Sequence, residues 1–511
     1  MRRTSFAGFR RAGSFAALVV AACAPSSTPA PAPAPVVTAP TPAPAQPAPA
    51  PQTDTAPPVL GPAPSVTLPP IDRRTLPNGM TLLVVEQHEL PLADFVLVIG
   101  SGTETDPAAR GGLASLTAAL LREGTTTRSA MQIADQLSFL GADLSSGSGW
   151  DLSQLSLHTT TAQMDSALAL FADVALHPAF AASEVERLKK QRLTDLLQSR
   201  DRPRDIADRV YAQALYGSAH PYGRPATGTE QSTKAIRATD VRRFFQTYYR
   251  PNNATLIVVG DVTPADVERR ARALFGSWRR GDVPATTYPR ATSGATKPTI
   301  FLVDKPGAPQ SSIRIGEIGV ARSTPDYFAL MVMNTILGGS FTSRLNQNLR
   351  EKRGYTYGAG SGFAMRRQPG PFVARAEVTG TKTDSSLIEF MNELRSIRDT
   401  VSSTELARAK RYLELQLPGD FETTGSIAAQ LVPVVVYGLP LDFYSSYVQR
   451  IENVTQADVQ RVAREYVDPS KMAIVVVGDR ASIEAGIRAL GMGEVTLRDV
   501  NGAIVANSPR P

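Results

Sequence analysis

"YYRPNNATLIVVGDVTPADVERRARALF" (residues 248–275) has a second version later in the same chain, "EYVDPSKMAIVVVGDRASIEAGIRAL" (465–490). Each reads as a Tyr-ended helix, a turn, an apolar strand closing on Gly-Asp, and a further helix. The two Gly-Asp steps, Gly260–Asp261 and Gly478–Asp479, lie 218 residues apart. That period is too long for a solenoid repeat. It predicts two homologous domains, 67–285 and 298–492, joined by a linker, "TTYPRATSGATK" (286–297). Within each half the order is strands, helices, strands, helices, strand, helix. "MTLLVVEQ" (80–87) and "LADFVLVIG" (92–100) read as strands; "AQMDSALALFADVAL" (162–176) and "TELARAKRYLELQL" (404–417) carry helical periodicity. Blocks without strict βα alternation predict an α+β fold, with helices packed on a mainly antiparallel sheet in each domain. Residues 493–511 read as a loose tail.

The chain has 511 residues, of which 42% are hydrophobic and 20% charged, enough apolar content for a core in both halves. The N-terminus reads differently. Arg2, Arg3, Arg10 and Arg11 precede the apolar run "AGSFAALVVAA" (12–22), which is shorter than the ~20 residues of a membrane span. This is the layout of a secretory signal peptide over 1–22. It closes on "VAAC", which resembles a bacterial lipoprotein lipobox and implies cleavage before Cys23 and lipidation there. A lone cysteine is otherwise a buried apolar filler. Ala24 implies sorting to the outer membrane, with the body facing the periplasm. Cys23 is the only cysteine, which excludes an internal disulfide and a Cys-based zinc site.

Residues 24–66 hold 15 prolines in 43 positions and a single charge, Asp54. Such a segment builds no core and samples polyproline II, reaching about 130 Å when extended. With Cys23 it forms a tether, 23–66. Removing 1–22 deletes four arginines and no acid, so the net charge falls from +7 to +3. No Lys/Arg block remains to bind nucleic acid.

"GGLASLTAALLREGTTTRS" (111–129) reads as a helix followed by a polar turn. Its inner face is Leu and Ala, with nothing to hold a metal, accept a proton or attack a bond. The four histidines, His88, His158, His177 and His220, offer no pair three or four apart, so no helix can present two of them to one metal. There is no G-x-S-x-G and no P-loop. "GAGSGF" (358–363) reads as strand rather than as a phosphate loop.

Taken in order, "LPNG" (76–79), "GSGTET" (100–105), "GGLASLTAALLREGT", "HPYGRPATGT" (220–229) and "YRPNNATLIVVGDV" (249–262) resemble the N-terminal half of the pitrilysin/insulinase family of zinc metallopeptidases. "LGGSFTSRLNQNLREKRGYTYGAGS" (337–361) resembles the C-terminal half. The resemblance covers nearly all of 72–490 and implies half of a clamshell-like peptidase. Active members carry H-x-x-E-H, two histidine ligands and a general-base Glu on one helical face. Anchoring on Gly112, Gly124 and Thr125 places that motif on Ser115–Ala119. The histidine positions become Ser115 and Ala119, and the base position becomes Ala118. The family's third ligand falls near Thr194 and Asp195. The resemblance thus implies no zinc and no other cofactor on this chain, and no activity alone.

The same resemblance implies an Arg/Tyr pair on Arg350 and Tyr357, contacting substrate near the scissile bond. "FTSRLNQNLREKRG" (341–354) reads as a helix capped by Thr342, packed through Leu345 and Leu349, and ended by Gly354. "YTYGAGSGF" (355–363) then alternates as a strand, so Tyr355 shares a face with Tyr357 and is a second candidate for the phenol. A guanidinium and a phenol are both donors able to stabilise a developing oxyanion. The other reading makes Arg350 a solvated helix-end charge and Tyr357 a strand residue. Two functions follow. In one the chain is the non-zinc subunit of a heterodimeric peptidase, paired with a zinc-bearing homologue and a peptide substrate, and anchored to the membrane by its lipid. In the other it is an inactive scaffold or peptide-binding envelope lipoprotein.

Overall fold

The computed structural model describes residues 69–291 and 297–505; the signal, Cys23 and the Pro/Ala tether lie outside them. In the first half the order is β1 (Ile71–Thr75), β2 (Thr81–Glu86), β3 (Leu92–Ile99), α1 (Leu113–Leu120), α2 (Ala130–Leu140), β4 (Asp143–Ser148), β5 (Ser153–Thr160), α3 (Met164–Leu176), α4 (Ala182–Ser199), α5 (Pro203–Tyr216), α6 (Glu230–Ala235), α7 (Ala238–Tyr248), β6 (Ala254–Gly260) and α8 (Pro264–Phe275). The second half gives β7 (Thr299–Asp304), β8 (Gln310–Ile318), α9 (Tyr327–Asn334), α10 (Arg344–Asn346), β9 (Thr356–Phe363), β10 (Pro371–Thr379), α11 (Thr383–Asp399), α12 (Ser403–Asp420), α13 (Thr424–Val436), α14 (Tyr447–Glu452), α15 (Gln456–Tyr466), β11 (Ala473–Gly478), α16 (Arg480–Ala489) and β12 (Glu494–Arg498).

Each half builds a six-stranded sheet. The orders are β1-β2-β6-β3-β5-β4 and β12-β7-β11-β8-β10-β9. In the first only β2–β6 is parallel; in the second β12–β7 and β7–β11 are. Five strands thus recur in the same places, and the repeated Gly-Asp strands β6 and β11 sit inside their sheets. The sixth position differs. β1 runs antiparallel along β2, whereas β12 comes from the far end of the chain and runs parallel along β7. This corrects the expectation of a loose tail from 493. An edge as apolar as β7 presents unpaired amides, and "EVTLR" satisfies them while Leu497 turns into the core at 5% exposure.

Both faces of each sheet are covered. In the first, Leu82, Val84, Phe95, Leu97 and Val258 pack against α1, α3 and α8 through Leu116, Phe171 and Phe275. The opposite face, Leu83, Val85, Val96, Val98, Ile257 and Val259, is covered by Ile427, Ala428 and Leu431 of α13, a helix of the other half. The exchange is reciprocal: Ile206, Val210, Tyr211 and Leu215 of α5 cover Val303, Val475 and Val477 of the second sheet. Burial on both faces explains why "LLVV", "FVLVI" and "LIVV" are continuous apolar runs rather than alternating ones.

Polar ties lock each exchanged helix. Thr424 at the start of α13 donates to Asp94 Oδ2 at 2.5 Å, and His158 Nδ1 lies 3.0 Å from Asp94 Oδ1. On the other side Arg314 of β8, 1% exposed, donates to Asp208 of α5 at 2.6 Å. The described residues belong to one compact unit, and among them no helix is long and apolar enough to cross a membrane.

Candidate functional site

The helix α1 is placed by its first turn. Asp106 accepts from the amides of Gly112, Leu113 and Ala114 at 2.7, 3.1 and 2.8 Å, satisfying three donors that a helix N-terminus leaves open. Burial pushes the Asp106 carboxyl up to about 7 against those amides. Gly112 adopts φ +88°, and a Cβ there would collide with the Thr227 carbonyl, so glycine is required. From α4, Arg192 donates to the Gly112 carbonyl at 2.8 Å.

The aligned motif positions follow on that helix. Ala118 is fully buried, while Ser115 and Ala119 are half-buried. The Ser115 hydroxyl donates to the Gly112 carbonyl at 3.1 Å. On α4, Asp195 is exposed and accepts from Gln191 at 3.0 Å; Thr194 is exposed and donates to the Lys190 carbonyl. Zinc does not fit this donor set. Two methyls and one hydroxyl replace two imidazoles and a carboxylate. Among the described residues, no three His, Cys, Asp or Glu side chains gather where they could hold a metal.

The Arg350 and Tyr357 pair sits in the second half. The helical segment starts at Ser343 rather than Thr342, and neither side chain caps it. Arg344 holds the start instead, donating to both carboxylate oxygens of Glu405 at 2.7 and 2.9 Å. The α-helical turn is short and gives way to a π-helical turn, Gln347–Lys352, which carries Arg350. Such turns widen a helix locally and recur at functional sites. Leu345 and Leu349 are both fully buried, and Gly354 ends the segment at φ +63°. Asn346 stitches it to β9, accepting from the Ala359 amide at 3.2 Å.

Arg350 lies with its guanidinium carbon 4.6 Å from the centre of the Phe341 ring and pairs with Glu351 at 3.2 Å. Tyr357 is 89% exposed, and Phe341 59%. Among the described residues no hydrogen bond joins Arg350 to Tyr357. Tyr355 precedes β9 rather than lying in it, half-buried, with the Lys382 ammonium 5.9 Å from its ring. The structure therefore puts a cation and an exposed phenol on adjoining elements.

A buried polar cluster at the junction of the halves has no counterpart in the sequence reading. Asp151 accepts from Tyr222 at 2.8 Å, from Tyr437 at 3.1 Å and from the Arg367 amide at 2.9 Å. Beside it, Glu104 accepts from the Tyr288 hydroxyl of the linker and faces Arg367 at 3.6 Å. Burial pushes Glu104 up to about 7, opposed by Tyr288 and Arg367. His220 stacks on Tyr216 and Tyr288 and accepts from the Tyr222 amide at 3.0 Å. Burial, with Arg224 and Arg366 nearby, lowers its pKa, so it is a neutral packing element. The other histidines pair with acids: His88 with Glu86 and Asp261, His177 with Asp173. The cluster's acids, Asp151 and Glu104, come from separate connections between elements.

Two family models match the chain. Residues 82–230 match the insulinase peptidase family M16, and residues 235–413 match the peptidase M16 inactive domain. An uncharacterized zinc protease of Mycobacterium leprae is 27% identical over 421 residues, 80% of this chain and 92% of the relative. One from Bacillus subtilis is 26% identical, covering 70% of this chain and 86% of that protein. Among solved structures, a peptidase M16 inactive domain from Pseudomonas fluorescens superposes with a TM-score of 0.75 at 29% identity, covering 80% of this chain and 98% of that one. A Helicobacter pylori protease shares the fold at TM-score 0.75 and 20% identity, covering 81% and 100%. The chain belongs to the pitrilysin/insulinase (M16) peptidase family, as a member of the non-zinc type.

Proposed function

We propose that this chain is the non-zinc subunit of a two-chain M16-type endopeptidase, lending Arg350 and Tyr357 to the site of a zinc-bearing homologue. One observation carries this reading: Tyr357 stands 89% exposed next to a π-helical turn that presents Arg350. An aromatic ring so exposed gains nothing for its own fold. Facing a peptide carbonyl, the phenol and guanidinium donate hydrogen bonds, orient the carbonyl, and stabilise the oxygen as charge develops on it. The metal and general base belong to the partner. β9, which carries Tyr357, is the outermost strand of its sheet, and its far side is held by Asn346, which accepts from the Ala359 amide, and Asn334, which donates to the Ser361 carbonyl, so the strand that presents the phenol is fixed in place. In this reading the chain is exported, lipidated at Cys23 and held at the outer membrane, with its body in the periplasm.

The test is a pull-down of the tagged chain from its host, with the eluate assayed on a fluorogenic peptide. Recovery of an H-x-x-E-H homologue with chelator-sensitive cleavage supports the subunit. In that complex Tyr357→Phe or Arg350→Ala lowers kcat about 100-fold, the usual effect of losing one oxyanion donor. Full activity in both variants, or recovery of an inert chain alone, leaves the scaffold reading in its place.

A further inference from the structure

We infer that an arginine-lined cavity beside the emptied motif is a carboxylate-binding subsite for an acidic stretch of peptide. The inference rests on the peptide-handling reading above and names the substrate class it implies.

The cavity measures about 760 Å³ and opens between α4, α5 and β10. That is within the size range of ligand sites. Arg192, Arg209, Arg224, Arg366 and Arg375 line it, from α4, α5, two loops and β10. Among the described residues none of the five has a carboxylate partner within ion-pair distance. Arg192 and Arg209 donate to carbonyls and a hydroxyl, and the guanidinium carbon of Arg366 lies 3.7 Å from the centre of the Trp150 ring. Nη1 of Arg224 and of Arg366 are buried with no acceptor.

The acids on the same wall are mostly committed. Asp205 pairs with Arg202 at 2.6 Å, and Asp208 with Arg314 at 2.6 Å, leaving Asp195. Burial lowers the pKa of Arg192 to about 10 and pushes those of Arg209, Arg224 and Arg366 down as well. Acids such as Asp106 and Asp195 act on these cations only from beyond ion-pair distance, so burial outweighs them, and a carboxylate entering in direct contact offsets that cost. The guanidinium fork matches a carboxylate, and clustered arginines are a general means of reading acidic segments. A single small anion would meet only part of a lining drawn from five segments. Trp150, Tyr216 and Tyr222 add aromatic wall for the intervening side chains. The cavity also reaches Arg192 and Asp195, beside the start of α1, so a peptide held here runs past the old motif.

The test uses the purified full chain without any partner. A fluorescein-labelled Glu-rich peptide and its Gln-for-Glu analogue are titrated by fluorescence anisotropy. The acidic peptide binds about tenfold or more tightly, and Arg375→Gln combined with Arg209→Gln weakens it about tenfold or more. Arg488→Gln combined with Arg480→Gln, which removes the same two charges from the surface pairs with Glu484, changes little. Thermal melts show that each variant is folded. Equal binding of both peptides overturns the inference, as do variants indistinguishable from the parent and displacement of the peptide by equimolar inorganic phosphate. Because no partner is present, failure here is separate from failure to recover a zinc-bearing homologue.

Discussion

Glu104 holds a proton at a pH where an exposed glutamate has lost it. Its side chain is 1% exposed, and burial lifts its pKa from 4.5 to about 7. Between about pH 4.5 and 7 the folded chain keeps a proton that the unfolded chain releases. Stability from this group is therefore full below that window and falls as pH rises through it. Asp106 and Glu317, also raised to about 7 by burial, act in the same direction. Glu104→Gln stays neutral throughout and keeps an oxygen for the Tyr288 hydroxyl. It is expected to match the parent at pH 5 and to be about 2 kcal/mol more stable at pH 8, read by urea denaturation across that range. Parallel stability curves for the two proteins would falsify the assignment. At this scale the sequence was partly legible. A helical segment holding Arg350 followed by a strand holding Tyr357 was readable from local pattern alone. Asp151, Glu104 and Tyr288 did not announce themselves, because their meeting depends on loops brought together by the fold.

At the scale of elements, the repeated Gly-Asp strands and the helices flanking them were readable because their apolar periodicity is a local property. The π-helical turn at Gln347–Lys352 was not, since "SRLNQNLREK" has ordinary helical periodicity and only the packing reveals the wider turn. β12 was missed because five residues of modest hydrophobicity become a strand only when an edge awaits them. The exchange of α5 and α13 was equally hidden: an amphipathic pattern says that a helix has a partner and not which one. Leu431 of α13 is 2% exposed and packs on the first sheet. Leu431→Ala is expected to cost about 2–5 kcal/mol. The loss should register in the first half, as faster hydrogen exchange in β3 and β6, although the substitution lies in the second. Exchange that speeds up only within the second half would contradict the account.

At the scale of the molecule, neither half covers both faces of its own sheet. Residues 67–285 leave Leu83, Val96, Ile257 and their neighbours without α13 and expose the apolar face of α5. Exposed apolar faces of that extent drive aggregation. Either half expressed by itself is expected to be insoluble or only loosely packed, and the two together to recover a folded complex. Because each sheet is covered by a helix of the other half, the folded body should unfold in a single transition by calorimetry. A soluble isolated half with a sharp melt would show that the exchange is dispensable.

The reciprocal lending of helices also carries a genealogy. An ancestral polypeptide of one half could shield its sheet only by meeting a second copy and trading helices with it, as domain-swapped dimers do. Gene duplication and fusion turn that encounter between strangers into an event within one molecule, independent of concentration. From then on the two copies are free to specialise, since each is kept soluble by its sibling rather than by its chemistry. A change in the side chains that one copy presents then leaves the architecture intact, because the covering helices are untouched.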